Sequence, residues 1–424
     1  MAKNHPFCVD IRVTTLQYNM SKSTFFTGQP ILNQLLNLID RGAVKSLARA
    51  GKHDHYYRYF DTYTHLVTML YCVLNKCTSS REVVSGMKAC CNKLKHAGIR
   101  KAPGRSTLCD ANMKRSYKVF EQLYEQLYRR HKQLLPDSRF RTDTKLFIAD
   151  SSTITLFQQI LKAPSPGKLN GKRKGGIKVH TLVDAADDVP VKISFTAASA
   201  NDMTFLKEFT LESGSFIVFD KGYVDYGEYE RMSNNGVYFV TRQKKDARYT
   251  VISSNPVSPE DTTSGVMADR IIILGTRTHR NKVKLKSRQI TFFDKEKGRT
   301  FEFLTNNFAL TAAQIADLYK KRWQIEILFK RIKQNFPLKY FLGDNENAIK
   351  IQIWCAFIAD LLIKIVQAQL KRKWAFSNLS SIIRLHLMSY INLFDFLNNP
   401  EKLSVSVSPD IQLKIRGLEL GFIT

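Results

Sequence analysis

The stretch LTAAQIADLYKKRWQIEILFKRIKQNFPLKYF, residues 310–341, carries the densest pattern in this 424-residue chain. Thr311 is followed three residues later by Gln314, the spacing of a capping box, so a helix is expected to begin there. Pro337 cannot continue a helical hydrogen-bond ladder and marks the expected end. The stretch therefore predicts one helix that reaches from just after Thr311 to just before Pro337.

Five polar side chains share one narrow stripe of this predicted helix. At about 100° per residue they fall within about 80° of one another, and they are Tyr319, Arg322, Glu326, Lys330 and Lys333. Apolar residues occupy a neighbouring face, which should be buried. The stripe has two interpretations, a solvated surface with a weak Arg322–Glu326 pair or a functional face with one carboxylate among cations.

The composition favours a nucleic-acid partner. Lys and Arg number 65 against 37 Asp and Glu, which gives a net charge of +28. A surplus of this size is either dispersed over a large surface or neutralised by a polyanion, and nucleic acid is the commonest polyanionic partner. A merely basic protein is the alternative. The length suggests two to three domains.

The seven cysteines include no pair with the Cys-x-x-Cys or Cys/His spacing of a zinc site. They are expected to be reduced thiols of an intracellular, cytoplasmic protein. No apolar run approaches the ~18 residues of a membrane span, so no membrane partner is expected.

The chain divides into regions of different pattern. Residues 1–27 carry little pattern and are expected to be disordered, whereas residues 29–133 have a helical periodicity with recurring Lys and Arg. That basic helical region could bind duplex DNA through phosphate contacts, or it could be a helical cap on the next domain. Both interpretations remain open.

Strand-like sequence begins at Lys145, and two strands end in aspartates, Asp150 and Asp220. The chemistry of open α/β sheets lies at such strand ends. These two aspartates and Glu326 would repel one another strongly at one point unless a cation lay between them. Carboxylate oxygens select Mg²⁺ or Mn²⁺, and two such ions can support phosphodiester chemistry.

The residues also resemble a known family. The helix YKKRWQIEILFKRIK fits the pattern Y-x2-R-x3-E-x6-K, and the segments FIADSSTI, VFDKGYVDY and GIKVHTLVD resemble segments around the two aspartates. This combination is similar to the DDE transposases of insertion-sequence family four, and the similarity extends from about Phe25 to about Leu370. The segment TGQPILNQLLNLI resembles the start of some members, which makes Met20 an alternative initiator.

The resemblance implies an α/β fold with a ribonuclease H-like catalytic domain, a β-rich insertion, a preceding basic helical domain and following C-terminal helices. The expected bounds are 1–27 disordered, 28–140 helical and DNA-binding, 141–345 catalytic with the insertion at about 242–301, and 346–424 helical and involved in dimerisation.

The resemblance further implies cut-and-paste transposition by a homodimer bound to the terminal inverted repeats and to target DNA, with two Mg²⁺ or Mn²⁺ ions as cofactor. Asp150, Asp220 and Glu326 would hold the metal and catalyse the reaction. Tyr319, Arg322 and Lys333 would bind DNA, as would their neighbours Trp323 and Lys330, although Trp323 could instead face the core. The alternatives are a ribonuclease H-like nuclease or recombinase that does not join strands, and an inactive DNA-binding protein.

Overall fold

The first part of the chain is helical. The computed structural model describes residues 28–55, 57–135, 145–155, 167–169, 172–174, 176–275 and 284–402. Residues 1–27, expected to be disordered, lie outside these ranges. The α-helices before the first strand are α1 (Ile31–Leu36), α2 (Arg41–Ala50), α3 (Thr62–Asn75), α4 (Ser80–Ala89), α5 (Cys91–Leu94), α6 (Arg105–Lys114) and α7 (Lys118–His131). Asp40, Asp61 and Ser79 cap α2, α3 and α4 by accepting hydrogen bonds from backbone N–H groups.

The centre of the chain is a large mixed sheet. Its described strands, with one short hairpin, are β1 (Leu146–Thr155), β2 (Gly167–Leu169), β3 (Lys172–Lys174), β4 (Gly176–Asp184), β5 (Val189–Ala197), β6 (Phe216–Phe219), β7 (Tyr238–Arg242), β8 (Tyr249–Asn255), β9 (Val266–Gly275), β10 (Lys284–Asp294) and β11 (Arg299–Thr305). Nine of these strands form one sheet in the order β5-β4-β1-β6-β7-β11-β10-β9-β8, and β2 pairs with β3 alone. Strands β1, β6 and β7 are parallel, and the other pairs are antiparallel.

The segment expected to be a β-rich insertion continues this sheet. Strand β11 pairs with β7, and β10, β9 and β8 follow outward from it. The remaining helices are α8 (Tyr226–Asn234), α9 (Pro259–Ser264), α10 (Ala312–Lys320), α11 (Trp323–Asn335), α12 (Glu346–Gln369), α13 (Phe376–Leu385) and α14 (Leu393–Asn398).

Two local expectations are wrong in detail. The predicted single helix is two, α10 and α11, because the backbone N–H groups of Arg322, Gln324 and Ile325 bond three residues back instead of four, a tighter 3₁₀-type turn. Its ends are confirmed: Thr311 and Gln314 form the capping box, and α11 stops before Pro337. Asp150 lies within β1 and not at its end, because pairing with β4 continues to Thr155.

The helices before and after the sheet share one core. Helix α12 packs on α3, α6, α7 and α13, and the Asn347 side chain hydrogen-bonds the backbone carbonyls of Asn112 and Arg115. Tyr124 of α7 donates to the carbonyl of Pro190 on β5. The first helices therefore cover the sheet, as the helical-cap interpretation requires, and the apolar run of α12 is buried within its own chain.

Among the described residues, no helix combines the length and the apolar character needed to cross a bilayer. The six described cysteines are unpaired thiols, and Cys72, Cys77 and Cys355 are buried.

Candidate active site

Asp150 and Asp220 lie side by side at neighbouring parallel strands. Ala149 of β1 is paired with Phe219 of β6, so the aspartate that follows each of them stands at the same level of the sheet. Burial of β6 on both faces explains its run of apolar residues before Asp220. The sequence prediction that these two carboxylates come together agrees with this register.

The turn between α10 and α11 brings the polar stripe onto these aspartates. The Arg322 guanidinium donates from Nη1 to Asp150 Oδ2 at 2.8 Å and from Nη2 to Glu326 Oε1 at 2.5 Å. The Tyr319 hydroxyl lies 3.4 Å from Asp220 Oδ1. The Arg322 side chain is only 16% exposed and Tyr319 is buried, whereas Lys330 and Lys333 are exposed. The interpretation of the stripe as a solvated surface therefore does not hold for Tyr319 and Arg322.

A second arginine, which the sequence reasoning did not single out, holds the other aspartate. Arg242, the last residue of β7, donates from Nη2 and Nε to Asp220 Oδ1 at 2.5 and 3.2 Å. The position of Arg242 in the sequence could have indicated this contact. It ends β7, the next parallel strand after β6, and polar residues at the ends of such strands meet at one edge of the sheet. Each of the three carboxylates is thus paired with an arginine.

The predicted residues Lys330 and Lys333 line a cleft of about 540 Å³ together with Asp150 and Glu326. Lys333 donates from Nζ to Ser152 Oγ at 2.7 Å and to the Thr153 carbonyl at 3.1 Å, and Lys330 is exposed. Trp323 is 59% exposed, so the alternative of a core-facing tryptophan is wrong.

Further polar contacts position the strand that carries Asp150. Ser151 Oγ donates to Asp202 Oδ1 at 3.1 Å, and Lys178 Nζ donates to the same oxygen at 3.0 Å. His180 is fully buried, bonds Thr196 through Nε2 at 2.8 Å and stacks on Phe205. Its Nδ1 is buried without a hydrogen-bond partner among the described residues and lies 3.8 Å from Asp202 Oδ1.

The pKa values of Asp150 and Asp220 are shifted in opposite directions. Burial raises the pKa of Asp150 to about 6. Burial also acts to raise the pKa of Asp220, but the hydrogen bonds and charge of Arg242 outweigh it and leave that pKa below the usual value. Burial raises the pKa of Tyr319 to about 12. At neutral pH both aspartates are therefore mainly ionised, and the Tyr319 hydroxyl remains a donor.

The donor set fits a hard divalent cation, although the side chains do not converge fully. Among the described residues, no three His, Cys, Asp or Glu side chains are grouped closely enough to hold a metal ion. The reason is local, since the Arg322 guanidinium lies between Asp150 and Glu326. The oxygen ligands suit Mg²⁺ or Mn²⁺, and Arg322 would have to withdraw for Asp150 and Glu326 to share one.

Comparison with known proteins gives a consistent result. Residues 141–362, just over half of the chain, match the family described as Transposase DDE domain, and residues 27–100 match a domain of unknown function, DUF4372. A putative transposase, y4zB, of Sinorhizobium fredii is 32% identical over 64% of this chain and 73% of its own length. A probable transposase for insertion sequence element IS5377 of Geobacillus stearothermophilus is 28% identical over 54% of this chain and 58% of its own length.

A transposase for insertion sequence element IS231B of Bacillus thuringiensis is 22% identical over 48% of this chain and 53% of its own length. One solved structure, the piggyBac transposase synaptic complex with hairpin DNA, aligns with a TM-score of 0.43 and 10% identity over 92% of this chain and 84% of that chain. The match to the family model covers the strands and helices that carry Asp150, Asp220 and Glu326. The chain therefore belongs to the family of DDE transposases, enzymes that cleave and transfer DNA strands.

Proposed function

We propose that this transposase cleaves the ends of an insertion sequence and joins them to target DNA in cut-and-paste transposition. Asp150, Asp220 and Glu326 are its metal ligands and catalytic residues. The observation that carries the proposal is the set of contacts among these residues. Asp150 and Glu326 line one cleft with Lys333, Arg322 bridges the two carboxylates, and Tyr319 lies 3.4 Å from Asp220. Membership in the family implies dependence on a divalent metal ion, and two Mg²⁺ or Mn²⁺ ions suit the three carboxylates.

The strand order β5-β4-β1-β6-β7 supports a ribonuclease H-like catalytic core. In it three antiparallel strands are followed by two that run parallel to β1. The strands β8 to β11 form an insertion that extends this core at the β7 edge. The catalytic domain spans residues 141–345 in this proposal, with the insertion at about 242–301.

In this proposal the carboxylates bind the metal ions, and the cationic and aromatic side chains bind the DNA. Bound metal ions would activate the attacking water or 3′-hydroxyl and stabilise the leaving oxygen. Arg322 moves from the carboxylates to a phosphate of the DNA end, where its planar guanidinium can form two hydrogen bonds. Tyr319, Lys330, Lys333 and the exposed Trp323 bind the backbone or bases of the same end.

The DNA partners are the double-stranded terminal inverted repeats and the target. The basic helices of residues 28–140 add phosphate contacts at their exposed lysines and arginines. The enzyme acts as a homodimer on paired ends. Because the apolar run of α12 is buried within its own chain, the dimer uses another surface.

An assay with the terminal sequences recovered from the DNA flanking the gene tests this function. A transposase gives Mg²⁺-dependent cleavage at the end and joining to a target plasmid. A ribonuclease H-like nuclease gives cleavage without joined product, and an inactive DNA-binding protein gives a retarded complex without cleavage. Gel analysis of all three products on one labelled DNA separates the outcomes.

Replacing Arg322 by glutamine is expected to increase the Mn²⁺ affinity of the DNA-free protein, by roughly tenfold. The guanidinium now neutralises Asp150 and Glu326, and it competes with any cation for the same oxygens. Without the guanidinium, the two carboxylates repel each other, and a bound cation is what reduces that repulsion. Isothermal titration with Mn²⁺ in the absence of DNA measures the change.

Lys330→Gln is the matched control, because it also removes one positive charge from the cleft but has no hydrogen bond to the carboxylates. If both variants changed Mn²⁺ affinity by the same factor, general charge reduction would explain the effect, and the idea of direct competition by Arg322 would be abandoned.

A further inference from the structure

A further carboxylate, Asp202, lies behind the candidate metal site on the opposite face of the sheet. Successive side chains of a strand point to opposite faces. Asp150 points toward α11, where Arg322 bonds it, so Ser151 points to the other face. There the Ser151 hydroxyl donates to Asp202 Oδ1 at 3.1 Å. Asp202, the first residue of the 3₁₀ helix Asp202–Glu208, is thus bonded directly to the residue that follows Asp150.

The same carboxylate also contacts the segment that follows Asp220. A second 3₁₀ helix, Lys221–Tyr223, begins directly after that aspartate. The backbone of Gly222 approaches Asp202 so closely that a Cβ at Gly222 would lie 3.3 Å from Asp202 Oδ2. One oxygen of Asp202 therefore bonds a neighbour of Asp150, and the other oxygen packs against a neighbour of Asp220.

Two side chains of β4 hold Asp202 in this place. Lys178 Nζ donates to Asp202 Oδ1 at 3.0 Å and to the Ala200 carbonyl at 2.7 Å. His180 is fully buried, and its Nδ1 lies 3.8 Å from the same carboxylate oxygen. The side chains of Lys178 and Asp202 are only 13% and 24% exposed. Charge-assisted hydrogen bonds are the strong ones, and at a position shielded from water they fix the carboxylate.

The distance between Asp150 and Asp220 is not set by the strand ladder alone. The parallel pairing of β1 with β6 ends at the pair Ala149–Phe219, one residue before each aspartate. At the next level the Asp202 carboxylate contacts the segment on either side. Mg²⁺ requires near-ideal octahedral coordination, whereas Ca²⁺ accepts irregular sets of oxygen ligands. The spacing of the two aspartates therefore matters more for Mg²⁺ than for Ca²⁺.

We propose that Asp202 is a positioning residue of the metal site, which fixes the spacing between Asp150 and Asp220 and thereby makes the site suitable for Mg²⁺. The alternative is a purely structural role, since a carboxylate at the N-terminus of a helix is favourable by itself. This inference rests on the proposed function, because it takes Asp150 and Asp220 as metal ligands.

The test measures metal binding without turnover. The wild-type chain and its variants are bound to a terminal duplex that ends at the cleavage site and lacks the 3′-hydroxyl, so neither cleavage nor joining can occur. Mg²⁺ or Ca²⁺ is then titrated into the complex by calorimetry. We expect Asp202→Ala to weaken Mg²⁺ binding by about tenfold or more and Ca²⁺ binding by about threefold or less. Asp202→Asn keeps an acceptor oxygen for Ser151 and should retain most of the Mg²⁺ affinity.

Ser151→Ala tests the link itself, because it removes one hydrogen bond and leaves the Asp202–Lys178 pair intact. It should also weaken Mg²⁺ binding more than Ca²⁺ binding. The double variant should lose no more Mg²⁺ affinity than Asp202→Ala alone, since both changes break the same contact. Ser151 also lines the catalytic cleft, so DNA affinity without metal is measured in parallel and should be unchanged.

Glu208→Gln is the matched control. Glu208 lies on the same 3₁₀ helix as Asp202 and accepts a hydrogen bond from Ser194 Oγ of β5 at 3.0 Å. It therefore also links this helix to the sheet, but at a strand that β4 separates from β1. The Glu208→Gln chain should keep the wild-type affinity for both ions.

The inference is overturned if Asp202→Ala binds Mg²⁺ as tightly as the wild type, or if it loses affinity for both ions by the same factor, as a purely structural role requires. It is also overturned if Ser151→Ala weakens metal-free DNA binding and leaves Mg²⁺ binding unchanged. In these cases, Mg²⁺ binding by the wild type that Asp150→Ala abolishes would leave the proposed function in place. A wild-type complex that binds no Mg²⁺, or whose Mg²⁺ binding survives Asp150→Ala, would refute the proposed function as well.

Discussion

Replacing Glu326 by glutamine is expected to lower the rate of end cleavage by about 10³-fold or more. A metal ion contributes several kcal/mol to the transition state of phosphodiester chemistry, and each 1.36 kcal/mol is a factor of ten in rate. Glutamine keeps the size of the side chain and its hydrogen bond from Arg322, but it removes the charge that balances the cation. Single-turnover cleavage of a labelled terminal duplex measures the loss.

The DNA affinity of Glu326→Gln should change little, because the motif cations remain. Asp317→Asn is the matched control, since Asp317 lies on α10 in an exposed pair with Lys320 and should cleave at the wild-type rate. Cleavage by Glu326→Gln within tenfold of wild type would show that Glu326 is not a metal ligand.

Apolar runs and motif spacing were sufficient to predict that Asp150 and Asp220 lie on neighbouring strands and that Arg322 and Glu326 face them. Asp150 and Asp220 each follow an apolar run that a sheet buries, and neighbouring parallel strands place such residues at one edge. The motif on α10 and α11 supplied the third carboxylate. These relations are local or depend only on the sheet's order, so sequence reasoning could reach them.

Contacts between segments far apart in the chain could not be predicted from the sequence. Arg242 is 22 residues from Asp220, and no periodicity links the two. The position of Arg322 between Asp150 and Glu326 depends on the 3₁₀-type turn at residues 321–322, whereas a helical wheel assumes a uniform 100° step. Asp202 bonds Ser151 of β1 and Lys178 of β4, which are 51 and 24 residues away and which only the folded chain brings together.

For Asp188, the backbone conformation could be predicted from the sequence, but the partners of its side chain could not. The segment Ala186-Asp-Asp-Val-Pro190 is typical of a turn, and Asp188 does lie in the turn between β4 and β5 with a positive φ of 50°. Its carboxylate, however, is buried against Arg331 and Lys364, residues more than 140 positions away. Turn propensity describes the backbone, and the partner of the side chain is set by the packing of α11 and α12 on the sheet.

Replacing Asp360 by alanine is expected to lower the free energy of unfolding by about 3–5 kcal/mol. Asp360 of α12 is 2% exposed and accepts hydrogen bonds from Arg331 Nε at 2.9 Å and Nη2 at 3.1 Å. With Asp188 and Lys364 these groups form a buried set of two cations and two anions. Removing one anion leaves an uncompensated charge between α11, α12 and the β4–β5 turn. Unfolding in urea measures the loss.

The pH dependence of unfolding gives a second test of the same buried set. Burial acts to raise the pKa of Asp188, but Arg331 and Lys364 outweigh it and leave the pKa below its usual value. A lowered folded-state pKa means that the stabilisation is complete above the unfolded value of about 3.9 and is lost as the pH falls through the folded value. Asp188→Asn should therefore flatten the loss of stability below about pH 4. An equally steep loss in Asp188→Asn would assign the acid sensitivity to other carboxylates.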